Sequence, residues 1–200
     1  MEYNEREFWA KQKSREKEDL DPRVLERHAR YIRTFVEEGD FALDFGPGEG
    51  YMLEAFSNAE MLTLIDIVDV HVDKIQYIAI DVLKNTKSIE FVLLEDDNLV
   101  KLPFPNKYFN VAVACEVLLH IKPVNIVLLM KELARVANKV VIIAFYNPDI
   151  AFDKGSFNPD HFQYCFNYNY PRICNKNGLD MDNIKLKDNQ IFFTYKEEKK

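Results

Sequence analysis

The chain is short of several things, and each shortage narrows what it can be. No apolar run approaches the roughly 18 residues of a membrane-spanning helix, so no span is expected. Cysteine is scarce: Cys115, Cys165 and Cys174 are odd in number and show no Cys-x-x-Cys spacing. That pattern argues against a disulfide framework or a metal site, and for reduced thiols in a cytoplasmic protein. The opening Met1-Glu2-Tyr3-Asn4-Glu5 has no basic stretch leading into an apolar one, so a secretory signal is not expected. Basic residues are outnumbered, 26 Lys and Arg against 33 Asp and Glu, for a net charge of −7. That balance argues against a nucleic-acid groove as the main partner surface, and small molecules or proteins match better. What remains is 48% apolar and 13% aromatic over 200 residues, enough for one domain that buries about 70% of its unfolded surface. Repeats, low-complexity tracts and linkers are absent, so a single domain spanning residues 1–200 is expected.

Glycine is also rare, six residues in all, and three of them fall in Asp44-Phe45-Gly46-Pro47-Gly48-Glu49-Gly50. This stretch follows an apolar run from Phe41 and precedes a helix-like segment, Tyr51 to Phe56. A strand, a glycine turn and a helix bring backbone amides against a cofactor in α/β folds. Glycine suits such a turn because it accepts positive φ and lets a ligand touch the main chain. The dinucleotide fingerprint is G-x-G-x-x-G; here the spacing is G-x-G-x-G with Glu49 inside. A carboxylate among those amides should repel a pyrophosphate and be less hostile to a ligand carrying a sulfonium and an amino-acid end. A second apolar run, Met61 to Ile67, is interrupted by Asp66, 20 positions past Gly46, where an acid can accept bonds from a ribose diol. Asp66 supports a nucleoside site without choosing between cofactors.

The turn resembles the first motif of class I S-adenosylmethionine-dependent methyltransferases, with Asp44 as the acid before the glycines. A second stretch carries the resemblance further. Leu102-Pro103-Phe104-Pro105-Asn106-Lys107-Tyr108-Phe109-Asn110-Val111 is a proline-stiffened loop feeding a strand that ends at Cys115. It is similar to the L-P-F-x-x-x-x-F-D-x-V signature of the type 11 methyltransferases, and Glu116-Val117-Leu118-Leu119-His120 to their E-V-L-x-H. The resemblance covers roughly residues 40–196. It implies a doubly wound, Rossmann-like α/β fold of seven strands with the last antiparallel, and S-adenosylmethionine as cofactor. It also implies cofactor contacts from Asp44, Phe45, Gly46, Gly48, Gly50, Asp66, Ile67 and Glu116. The acid expected to bond adenine is displaced: its register holds Asn98, with Asp97 one position earlier, and either could serve. The family Asp after the loop Phe is Asn110 here, at a position assigned to structure.

Around this core, residues 4–19 read as a solvated helix, or else as a lid that folds Tyr3, Phe8 and Trp9 over the cofactor cleft. Residues 1–38 thus form an N-terminal helical extension or lid, and 40–196 the core. Asp21-Pro22 opens a helix whose apolar face runs to Val36 and includes His28, expected as a packed core residue. Asn147-Pro148-Asp149 lacks the second proline and the aromatic residue of the DNA amino-methyltransferase motif, and is not read as one. The aromatics from Phe162 to Tyr170 alternate as in a strand, and Asp188-Asn189 should turn a closing hairpin. His120 and His161 are the general-base candidates, since imidazole titrates near neutrality. No metal is implied. The acceptor is expected to be a small molecule, with a protein acceptor left open. An NAD-dependent oxidoreductase and a non-catalytic Rossmann-like interaction module are the competing readings.

Overall fold

The computed structural model describes residues 5–11, 21–83, 86–94, 100–149, 156–157 and 165–198. They belong to two compact units, Met1–Asp97 and Asn98–Lys200.

The first unit opens with helix α1 (Glu5–Ala10) and helix α2 (Pro22–Arg33). The start of α2 is set locally: the Asp21 carboxylate accepts the Arg23 N–H at 2.9 Å, and proline at the first position gives up an amide that had no helical partner. Ala29, Tyr31 and Ile32 are buried along it, and His28 lies among them at 4% exposure, packed as expected. The helix ends at Arg33, three residues short of the expected Val36, where the Thr34 N–H turns back to Tyr31. Strands β1 (Phe41–Phe45), β2 (Met61–Asp66) and β3 (Ser88–Leu93) follow, all parallel, in the order β3-β2-β1. Helix α3 (Val72–Val82) joins β2 to β3 and buries Ile75 and Ala79. The link from β1 to β2 holds a surprise: Tyr51 and Met52 form a turn, and only Leu53–Phe56 wind, as a 3-10 helix. The chain has little length between the strands, so it buries Leu53, Ala55 and Phe56 in one tight turn instead of along a full helix.

The second unit contains β4 (Phe109–Cys115), α4 (Ile126–Val136), β5 (Ala137–Phe145), a two-stranded ribbon of β6 (Ser156–Phe157) and β7 (Phe166–Asn167), α5 (Tyr170–Lys176), β8 (Leu179–Lys187) and β9 (Gln190–Glu197). Its strands run β4-β5-β9-β8, with β4 and β5 parallel and β9 antiparallel to both its neighbours. Counting those of the first unit, the sheet has seven strands and its last is antiparallel. Val140 to Ala144 are fully buried, as befits an inner strand. The hairpin turns at Asp188 and Asn189, with φ of 52° and 57°, a type I′-like pair. One expectation fails here. Tyr170 does not continue an alternating strand but begins α5, because Asn169 caps that helix through its side chain and Pro171 stiffens its first turn.

The proline loop is fastened mainly by an ion pair on α4, and Lys107 adds a second pair with Glu197 at 3.1 Å. Glu132 accepts the Leu102 N–H at 2.7 Å and pairs with Arg135 at 2.6 Å. The Arg135 guanidinium in turn donates to the carbonyls of Phe104 (2.9 Å) and Leu102 (3.1 Å) and to Asn106 Oδ1 (2.8 Å). Lys107, at φ 55°, donates to the Ala134 and Ala137 carbonyls at the end of α4. Phe104, Tyr108 and Phe109 pack ring on ring, with centroids 4.8–5.6 Å apart. Asn110 is exposed on β4. The described residues contain no helix long and apolar enough to cross a membrane, and no cluster of three His, Cys, Asp or Glu that could hold a metal.

Candidate cofactor site

In the first unit, the chemistry gathers at the carboxyl ends of β1 and β2, where open α/β sheets bind ligands. Gly46, Gly48 and Gly50 all have positive φ, at 71°, 53° and 80°. The turn is tied to the sheet by Gly46 N–H donating to the Ile65 carbonyl at 2.7 Å, and to itself by Gly50 N–H to Pro47. Gly50 and Gly48 serve different ends. A Cβ on Gly50 would sit 3.0 Å from Leu53 Cδ1 and 3.3 Å from Ile75, so that position is needed for packing. A Cβ on Gly48 would meet nothing within 4 Å, so it faces open space that a ligand could fill.

Asp44, on β1, is 2% exposed. Burial, and secondarily the charge of Asp66, raise its pKa to about 7. Asp66 is half-buried and also raised, again mainly by desolvation. Its carboxylate gathers backbone donors against that cost, Ile67 N–H at 2.7 Å and Val68 N–H at 3.3 Å, and the nearby Gly48 amide also favours its charged form. Acid and glycine turn are therefore neighbours, since the Gly46 N–H binds β2 at Ile65, one residue before Asp66. Ile67 is half-buried beside it.

Glu49 corrects the electrostatic argument made from the sequence. Its carboxylate accepts the Tyr51 hydroxyl at 2.8 Å and pairs with Lys74 in the first turn of α3. The charge inside the turn is thus matched by a lysine and does not stand alone against the amides. The glycine spacing, and not repulsion by Glu49, is what separates the turn from a dinucleotide site.

In the second unit, Glu116 follows β4 with φ 56°, a left-handed conformation that costs a non-glycine residue about 1–3 kcal/mol. Its N–H donates to Ile143 at 2.7 Å, and its side chain accepts the Gln190 amide at the start of β9. His120 closes a 3-10 helix (Leu118–His120), its Nδ1 3.7 Å from Cys165 Sγ. Below them lies an aromatic floor. The Tyr168 hydroxyl donates to the Ile121 carbonyl, and Tyr170 is fully buried between Tyr168 and Phe193. The Tyr170 hydroxyl has no hydrogen-bond partner among the described residues, and burial pushes its pKa well above the usual range. Asn167, fully buried, clasps the Asn147 backbone by accepting its N–H at 3.1 Å and donating to its carbonyl at 2.9 Å. That gives the Asn147-Pro148-Asp149 segment an architectural job.

Of the residues expected at the site, Asp44, Phe45, Gly46, Gly48, Gly50, Asp66 and Ile67 come together in the first unit, and Glu116 with His120 in the second. Asp97, Asn98 and His161 lie outside the described residues. Sequence reasoning missed Lys74, Gln190, Cys165 and Asn167. Only Lys74 left a signal, as a lone base in the first turn of a helix near an acidic loop.

Comparison with known proteins decides what this arrangement is. A family model described as a methyltransferase domain, type 11, matches residues 43–145, from the strand before the glycine turn to the end of β5. The chain belongs to the class I S-adenosylmethionine-dependent methyltransferases. S-adenosylmethionine is accordingly the cofactor of this methyltransferase. No curated protein matches it in sequence. Among solved structures, the methyltransferase is similar to PH0226 protein from Pyrococcus horikoshii OT3, at 15% identity and TM-score 0.70 over 96% of this chain and 99% of that one. It is also similar to magnesium protoporphyrin IX methyltransferase from Synechocystis PCC 6803 with bound S-adenosylhomocysteine, at 14% identity and TM-score 0.67 over 96% and 93%. A third is the [4+2]-cyclase SpnF, at 14% identity and TM-score 0.68 over 86% and 81%. At such identities the likeness speaks for the fold alone, and a cyclase among the neighbours shows that the fold does not dictate the chemistry.

Proposed function

We propose that this methyltransferase moves a methyl group from S-adenosylmethionine to a small-molecule acceptor, and that the assembly of Asp44, the glycine turn and Asp66 is its cofactor cradle. The observation that carries this is the turn itself: three positive-φ glycines, one open to ligand, bound through the Gly46 N–H to β2 one residue before the acid at its end. S-adenosylmethionine supplies a methyl group already activated on a sulfonium, so the protein's task is mainly to position the acceptor and keep water out.

The residues fit that cofactor. Asp44, buried and raised toward neutrality, is suited to a ligand that brings its own positive charge, and with the backbone of Gly46–Gly50 it would hold the methionine end. Asp66 would take the ribose hydroxyls, and Asp97 or Asn98 the adenine amino group. Phe45 and Ile67 would flank the cradle. Glu116 and His120 would stand toward the reacting end, with His120 and His161 as bases if the acceptor must lose a proton. Tyr168 and Tyr170 are fully buried and Tyr146 nearly so, so these rings stiffen the second unit and leave contact with the acceptor to other side chains. Two buried free thiols, Cys165 and Cys174, suit a reducing, cytoplasmic setting. The helix α1, whose Arg6 guanidinium donates to the Leu94 carbonyl just past β3, favours the lid reading of the N-terminal residues over a purely solvated one.

Isothermal titration with S-adenosylhomocysteine, beside NADH as control, tests the cradle. Micromolar binding of the first alone supports it; binding of NADH alone overturns it. Transfer of radiolabelled methyl to a panel of phenols, thiols and amines then tests the acceptor class, and labelling of protein alone would reject a small molecule.

A further inference from the structure

The two edge strands of the sheet are treated differently by the sequence. An exposed edge presents unpaired amides and carbonyls, and proteins blunt such edges with lysines, bulges or short irregular strands. β8 carries these devices: its register against β9 shifts between Asp182 and Lys185, Asn183 sits at φ 53°, and Lys185 and Lys187 line it. β3 carries none. Its six residues pair with β2 without a break, from Ser88 beside Met61 to Leu93 beside Asp66. It has no proline and no lysine, and Glu90 is its one charge. Ile89, Phe91 and Leu93 share one face by strand alternation, with Ile89 41% and Leu93 38% exposed. Among the described residues no strand pairs with its outer edge.

We propose that β3 is a docking strand, whose outer edge takes an extended segment of a separate, basic polypeptide as an added strand of the sheet. Main-chain hydrogen bonds would hold that segment, and alternate apolar side chains would meet Ile89, Phe91 and Leu93. Charge selects the occupant. Residues 1–97 hold 23 Asp and Glu against 12 Lys and Arg. A second copy would set two such acidic units edge to edge, whereas lysines or arginines between the apolar positions of a partner strand complement Glu90 and its surroundings.

The test uses the full chain and a fluorescent probe peptide, acetyl-Lys-Val-Lys-Ile-Lys-Val-Lys-amide, by anisotropy. Saturable binding is expected, weakened by salt, reduced about tenfold by Ile89→Lys and by Leu93→Lys, and untouched by Ile184→Lys on β8. A peptide N-methylated at alternate residues should not bind; this control needs only the wild-type protein, so it stands even where a variant folds poorly. Absence of saturable binding, equal binding of the N-methylated peptide, or equal loss on the β8 variant would overturn the proposal. So would sedimentation showing a wild-type dimer that Ile89→Lys converts to monomer, which would make a second copy the occupant.

Discussion

The glycine turn after β1 and the proline loop before β4 were the two stretches most legible as motifs, yet they are built to opposite ends. The proline loop is closed upon itself. Its carbonyls at Leu102 and Phe104, its amide at Leu102 and the side chain of Asn106 are all taken up by Glu132 and Arg135. The glycine turn is left open and electrostatically expensive, with space beyond Gly48 and two desolvated acids, Asp44 and Asp66. A recurrent motif thus marks either a completed structure or an unfinished one. The difference shows in whether its polar groups are satisfied within the chain.

The comparison breaks most sharply at Asp44. Its folded pKa of about 7 lies above its ordinary value of 3.8, so the native state binds the extra proton between these values and stability falls as pH rises from about 4 to 7. Asp44→Asn removes that penalty. It should stabilise the protein by up to about 4 kcal/mol at pH 8, by little at pH 4, and abolish measurable S-adenosylhomocysteine binding. Urea unfolding at both pH values checks the first part and calorimetric titration the second; an unstable variant at pH 8 would refute the account. In the wild type, a positively charged ligand end should release the Asp44 proton, so binding should tighten from pH 6 to pH 8.

Next in size is the other side of the comparison. Arg135→Ala should cost about 3 kcal/mol of stability through lost charge-assisted bonds while leaving S-adenosylhomocysteine affinity nearly unchanged. Asp66→Ala should do the reverse, costing about 1.5–3 kcal/mol of affinity; unchanged binding would remove Asp66 from the cradle. The smallest effects sharpen the roles of two glycines. Gly50→Ala forces Cβ against Leu53 at a positive φ and should destabilise by about 1–2 kcal/mol. Gly48→Ala carries a similar backbone strain without a contact, so any loss of affinity beyond that of Gly50→Ala reports the ligand in the open space.

Local chemistry was readable in advance wherever a few adjacent residues settle it. Asp21-Pro22 began a helix, Asp188-Asn189 turned a hairpin, and Asp66 ended β2 where it interrupts the apolar run. What could not be read depends on residues far apart. Glu116 meets Gln190 across 74 positions and His120 meets Cys165 across 45, and no periodicity reports such pairs. The Glu49 argument failed for the same reason: its partner Lys74 is 25 residues away. Tyr170 was misread because an Asn cap and a Pro outweigh an alternating aromatic pattern. The short 3-10 helix was misread because six residues of helical pattern do not tell a full turn from a tighter one.

The bonds made by the final hairpin also set an order of events. Asn189 accepts the Tyr146 N–H at 2.8 Å just past β5, and its neighbour Gln190 holds Glu116 just past β4. Both attachments come from residues synthesised well after the strands they steady. As the chain leaves the ribosome, β4 and β5 emerge first, and the ends of both wait on the hairpin. The end of the sheet that carries Glu116 and Tyr146 is thus the last part of the second unit to set, after β1 and β2 have already been made.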